Sequence, residues 1–222
     1  MSETAEVLTM PRRRPTIYEK AERRRKRRRP PEIPSREEVK RLLALLAKRT
    51  DAERDYPLFL LALETGMRAG TLAGLTVGDL RGADGYCRKR LRLRPEVCKA
   101  GFGYTVPLRR SVRHVLNAYL AERNGKAKDS DPLFPSRKGR EHLSVRAIEH
   151  AWRHWQAEAG FERTYRLHAA RHFAITRMAE RIGNPLIVKA LAGHQSISTT
   201  QRYAHPSDDA LLDAVEEAFA GE

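Results

Sequence analysis

Leu167-His168-Ala169-Ala170-Arg171-His172 decides how the rest of the chain is read, together with Leu191-Ala192-Gly193-His194 and Ser198-Thr199-Thr200-Gln201-Arg202-Tyr203 downstream. Among the residues of this short span are the imidazoles of His168 and His194, the guanidinium of Arg171 and the phenol of Tyr203. His168 and Arg171 lie three apart, so on a helix they share a face. A guanidinium fork beside an imidazole suits the non-bridging oxygens of a phosphate. Tyr203 is the candidate nucleophile. A free phenol has a pKa of about 10, so it attacks at neutral pH only if a base takes its proton or nearby cations stabilise the phenolate.

The composition agrees with a polyanionic target. The 222 residues carry a formal net charge of +15, with 41% hydrophobic and 32% charged residues. That length buries one good core, and two full domains would be cramped. No apolar run approaches the roughly 18 residues of a membrane span, and Met1 to Met10 lacks the pattern of a secretory signal. Cys87 and Cys98 are too few and wrongly spaced for a disulfide framework or a zinc site, and they read as ordinary strand residues in a reducing cytoplasm. The charge is concentrated: Pro11 to Pro30 holds eleven Lys and Arg against two Glu. Arg12, Arg13, Arg14, Arg23, Arg24, Arg25, Lys26, Arg27, Arg28 and Arg29 are therefore the candidate DNA-binding residues of a basic arm. Such an arm is expected to be disordered alone and to condense on phosphates.

The arm and its Pro-rich linker are assigned to residues 1–34 and the folded domain to 35–222. Ser35-Arg36-Glu37-Glu38 is a capping box ahead of Val39, Leu42, Leu43, Leu45 and Leu46 at helical spacing. Asp55 to Thr65 reads as a helix apolar on all sides, hence central, and Gly66 ends it ahead of Arg68. Between Tyr86 and Leu108 the period shortens to that of two strands, with Lys99 to Gly103 as the turn. Further helices are expected over Ser111–Arg123, Ser144–Ala159, Leu167–Arg181 and from Asn184-Pro185 to Gly193. Trp152 and Trp155 read as core. His150 and His154 stand at i, i+4, yet no zincin pattern accompanies them, so no metal is assigned. On their own, Arg68 reads as a surface or ion-paired residue and Lys99 as a solvated charge. The tail, Ser207 to Phe219, carries an apolar stripe through Leu211, Leu212, Val215, Ala218 and Phe219.

The His-x-x-Arg of His168 and Arg171, the Leu-x-Gly-His ending at His194 and a Tyr nine residues later resemble the tyrosine recombinase, or phage-type integrase, family. Thr65-Gly66-Met67-Arg68 looks like that family's first arginine motif, and Lys99 falls where it carries a lysine ahead of a Val-Pro-Leu strand. The resemblance spans about Ser35 to Glu222. It implies an α+β fold, mainly α-helical with a small antiparallel β-sheet, and a catalytic set of Arg68, Lys99, His168, Arg171, His194 and Tyr203. It implies site-specific DNA cleavage and rejoining through a 3′-phosphotyrosyl link, with no metal, cofactor or ATP. The implied partners are double-stranded DNA and further copies of the chain, as dimer or tetramer, with no membrane. In the family a C-terminal segment often docks on a neighbouring protomer; here the tail either does so or covers its own domain. The setting implied is cytoplasmic, bacterial or phage-type, and nucleoid-associated.

Two departures qualify the resemblance. Thr71 stands where the family commonly has a Glu that helps hold the site. Residues before Ser35 cannot build the helical core-binding domain that normally precedes the catalytic one, which leaves a minimal or truncated enzyme or an arm that replaces the clamp by phosphate contacts. The rival readings are a DNA-binding or architectural protein of the same fold without productive recombination, and a basic RNA-binding module.

Overall fold

The computed structural model describes residues 32–98, 101–123, 127–137 and 141–193. Among them the elements run α1 (Arg36–Leu46), α2 (Asp55–Thr65), α3 (Ala69–Gly74), α4 (Val77–Leu80), β1 (Arg90–Leu93), β2 (Tyr104–Pro107), α5 (Arg110–Arg123), α6 (Val145–Glu158), α7 (His168–Ile182) and α8 (Pro185–Ala192). Single 3-10 turns sit at Thr50–Ala52 and Pro95–Val97. The architecture is the mainly helical α+β arrangement expected, with one two-stranded sheet among the described residues.

α2 organises the core. Leu58, Phe59, Leu60, Leu61, Ala62 and Leu63 are all buried, so the helix keeps no solvent face, and α1, α3, α5 and α7 pack around it. α1 starts in the expected box: Ser35 Oγ accepts from Glu38 N at 3.1 Å while Glu38 Oε2 accepts from Ser35 N at 2.7 Å. α6 is capped by Ser144 and buries Ile148, Trp152 and Trp155 toward α1 and α3. Trp152 lies 5.4 Å from the Phe59 ring, and its Nε1 donates to Tyr165 O at 3.0 Å. Trp155 Nε1 donates to the buried Asp55 Oδ2 at 2.8 Å, and Arg54 pairs with the other oxygen of that carboxylate. The tryptophans are core residues.

The sheet is smaller than the sequence suggests. β1 and β2 pair antiparallel, Leu91 opposite Val106 and Leu93 opposite Tyr104, with Arg90 and Arg92 turned outward. The alternation began at Tyr86, but Cys87 N donates to Asn117 Oδ1 of α5 at 2.6 Å and Cys87 bridges Arg81, which draws that stretch out of the ladder. Cys87 is buried there, and burial pushes its thiol up to about 11. Cys98 is not a strand residue either; it follows the 3-10 turn at Pro95–Val97.

α3 and α4 are too short to show a period in sequence. α4 is fixed by its own cap, Asp79 Oδ2 accepting from Thr76 N at 2.9 Å, and by Arg94, whose Nε reaches Asp79 Oδ1 at 2.7 Å. Thr71 of α3 donates through Oγ1 to Val97 O at 2.9 Å. Gly74 meets the same residue: a Cβ there would lie 2.9 Å from Val97 Cγ1. Thr71 thus fastens α3 to the connection between the strands.

Candidate active site

The site is assembled around one buried guanidinium. Arg171 lies one turn into α7 and is only 5% exposed. Its Nη1 donates to Gly66 O, and its Nη2 donates to Ala192 O at 2.8 Å. Those carbonyls close two other helices, since Gly66 is the left-handed cap of α2 (φ 65°) and Ala192 is the last residue of α8 before Gly193 (φ 59°). One planar fork therefore ties three helix termini together, which an ammonium could not do with the same geometry.

In sequence, each tethered carbonyl stands two residues before a candidate site residue, Gly66 before Arg68 and Ala192 before His194. Two residues beyond Gly66, Arg68 is the extended cap residue of α3 and makes no capping bond with its side chain. A Cβ on Gly66 would lie 3.3 Å from Ala174 Cβ and 3.4 Å from Ile175 Cγ1, so glycine lets this turn press against α7. α8 has its own start signal, Asn184 Oδ1 accepting from Leu186 N at 2.9 Å with Pro185 at the first helical position.

His168 opens α7 with one side exposed. Burial of the rest, reinforced by the charges of Arg171 and Arg68, holds its pKa below the ordinary imidazole value. The ring is therefore neutral at pH 7 and able to accept a proton. His172 stands one turn on, its ring edge-on to His168 at 4.4 Å between centroids.

Two clefts meet at Arg68. The smaller, about 130 Å³, is lined by Arg68, Leu72, Glu149, His168 and Arg171. The larger, about 520 Å³, is lined by Arg68, Cys98, Phe102, Tyr104, Lys189 and Gly193 among others. Arg68, His168 and Arg171 thus line one cleft; spacing paired His168 with Arg171, and the resemblance added Arg68. Lys99, His194 and Tyr203 lie outside the described residues, as do the arm from Arg12 to Arg29 and the tail stripe. The His154 ring lies tilted against Trp155, 4.8 Å between centroids, and among the described residues no group of three or more His, Cys, Asp or Glu is placed to hold a metal ion.

The sequence reading missed Tyr104. Its phenol stands beside Arg171 and Arg68; burial raises its pKa, and both cations oppose that rise. The signal in the sequence is weak: strand alternation places Tyr104 on the inward face with Val106, where an aromatic ring with a polar tip is routine.

Residues 35–210 match the phage integrase family. The chain belongs to that family. Among curated members, the tyrosine recombinase XerA of Pyrococcus furiosus is 33% identical over 207 residues, 91% of this chain and 68% of its own length. Two solved integrase-family structures share the fold. XerH bound to its difH substrate in a pre-cleavage complex superposes with a TM-score of 0.69 at 22% identity, over 84% of this chain and 54% of XerH. The catalytic domain of bacteriophage HP1 integrase superposes with a TM-score of 0.57 at 21% identity, over 83% of this chain and 95% of that domain. The chain thus spans about half to two thirds of the whole recombinases and nearly all of the HP1 integrase catalytic domain. Among the described residues no helix is long and apolar enough to cross a membrane.

Proposed function

We propose that this chain is a tyrosine-type site-specific recombinase that cleaves and rejoins double-stranded DNA. The observation that carries the reading is the Arg171 fork, which gathers Arg68 and His168 and binds the turn leading to His194. The Tyr203 oxygen attacks the scissile phosphorus and its proton passes to the neutral His168. The bond to the 5′-oxygen breaks, Lys99 protonates that oxygen, and a 3′-phosphotyrosyl link with a free 5′-hydroxyl remains. Arg68 and Arg171, with a hydrogen bond from His194, stabilise the charge that builds on the non-bridging oxygens. Attack by another 5′-hydroxyl reverses each step, so the bond energy is conserved without a nucleotide.

Residues 35–222 form the catalytic unit in this reading, and residues 1–34 a basic arm that adds phosphate contacts. The chain self-associates on DNA as dimer or tetramer and works in the cytoplasm on the nucleoid.

The test is trapping on suicide DNA substrates from the chain's own genetic neighbourhood. A denaturant-resistant protein–DNA adduct that vanishes in Tyr203→Phe is expected. Tight DNA binding with no adduct would sink the enzyme reading in favour of a DNA-binding protein of the same fold. Deleting residues 1–29 should flatten the dependence of binding on salt, because each phosphate the arm neutralises adds about 0.9 to the slope of log K against log salt.

A further inference from the structure

We infer that Tyr104 is a positioning residue for the arginine pair and for the Gly193 turn that precedes His194 in the chain, holding both from the strand side as Arg171 holds that turn from α7. This rests on the proposed reaction, although the geometry stands apart from it. Gly193 lies flat on the Tyr104 ring: a Cβ there would fall 2.6 Å from Cζ, 2.8 Å from Cε1 and 3.0 Å from Cε2. The residue before it, Ala192, is held by Arg171 Nη2. The turn at the end of α8 is therefore gripped between an aromatic face and a guanidinium, and β2 packs on α8 beside it. The Tyr104 phenol lies within electrostatic reach of Arg171 and Arg68.

The identity of the residue follows from this placement. An aliphatic side chain would leave the glycine turn without a flat wall, and a cation at this place would repel both arginines. The phenol fills the space and offers a neutral oxygen to two guanidinium groups. Burial keeps it protonated at neutral pH, so it is a brace and not a second nucleophile. Tyr104 also forms part of the wall of the larger cleft beside Arg68.

The experiment uses the full chain in four variants: Tyr104→Phe, Tyr104→Ala, Gly193→Ala, and Tyr104→Ala combined with Gly193→Ala. The first readout is single-turnover adduct formation on a suicide substrate, with rate and amplitude fitted separately and DNA affinity measured in parallel. Displacing reacting groups by about 1 Å costs on the order of 100-fold, so Tyr104→Ala should slow the rate about 10- to 100-fold at unchanged DNA affinity. Tyr104→Phe keeps the wall and should lose less than Tyr104→Ala. Gly193→Ala alone places a methyl against the ring, and the double variant, with the ring gone, should recover part of the rate that Gly193→Ala loses. The second readout needs no catalysis: the Arg171 side-chain NH signals in NMR of the DNA-free protein should persist in Tyr104→Phe and broaden or shift in Tyr104→Ala.

Loss of adduct amplitude at an unchanged rate would mean that Tyr104 only supports folding, and would overturn the inference. So would a wild-type rate with unshifted Arg171 signals in Tyr104→Ala. If the wild-type chain forms no adduct at all, the proposed reaction fails while the NMR arm still decides the brace: shifted signals support it and unshifted signals refute it.

Discussion

Replacing Arg171 with Met tests whether the fork is structural as well as chemical. The side chain is 5% exposed, and the Gly66 and Ala192 carbonyls that it binds terminate α2 and α8. A hydrogen bond from a charged donor contributes about 1.5–3 kcal/mol, so breaking two removes about 3–6 kcal/mol. Releasing a buried charge returns part of that, since a buried ion carries a desolvation cost of several kcal/mol, which leaves a net loss of about 2–4 kcal/mol. At about 2–4 °C per kcal/mol for a domain of this size, Tm should fall by about 4–16 °C. The assay is thermal and urea unfolding without DNA at pH 7, with an unchanged denaturant slope showing that only stability moved. Amide exchange should accelerate first at Gly66 and Gly193, whose N–H groups bond to Ala62 O and Ala190 O within the turns the fork holds. Arg171→Lys, which keeps the charge but not the fork, should lie between Met and wild type. A Tm within about 1 °C of wild type or above it would refute the clamp.

Three further outcomes are expected. Trp155→Phe removes the 2.8 Å bond to the buried Asp55 and should cost about 1–3 kcal/mol in urea unfolding, whereas no loss would show that Arg54 alone satisfies that carboxylate. His168 has a folded-state pKa below the unfolded one, so between the two values the unfolded chain binds more protons. Stability from this group is complete above about pH 6.5 and declines as pH falls through that window, and the acid limb of adduct formation should lie below 6.5; a limb at or above it would contradict neutrality of the ring beside Arg171, Arg68 and His172. With its thiol held near 11 and buried, Cys87 should resist a thiol reagent at about pH 8 until the chain unfolds while Cys98 reacts first, and the reverse order would contradict the burial of Cys87.

The larger helices were legible because their signals are local. The box at Ser35, the uninterrupted apolar run of α2 and the Asn184-Pro185 start each name a helix end or a burial state within a few residues. α3 and α4 were not legible as periods, because they span six and four residues and are anchored by contacts distant in sequence, Thr71 to Val97 and Asp79 to Arg94. The short β1 has the same cause: the alternation from Tyr86 is real, but an Asn117 side chain on another helix takes the Cys87 N–H. In the site, His168 and Arg171 could be paired from spacing alone, whereas Tyr104 could not. Its importance comes from a glycine far along the chain that lies against its ring.

Apart from the Arg171 and Tyr104 contacts, α8 is seated on its own small apolar group. Ile175, Val188 and Ala192, flanked by Met178 and Ala179, form a cluster separate from the main core around α2. Little apolar surface has to be re-exposed for α8 to come away, so its release requires far less free energy than melting the domain. Opening there would leave the core intact and break only the Arg171–Ala192 bond and the Gly193–Tyr104 contact. If the proposed reaction holds, the seating of this eight-residue helix sets how Gly193, and the chain that leads on to His194, is presented to Arg171.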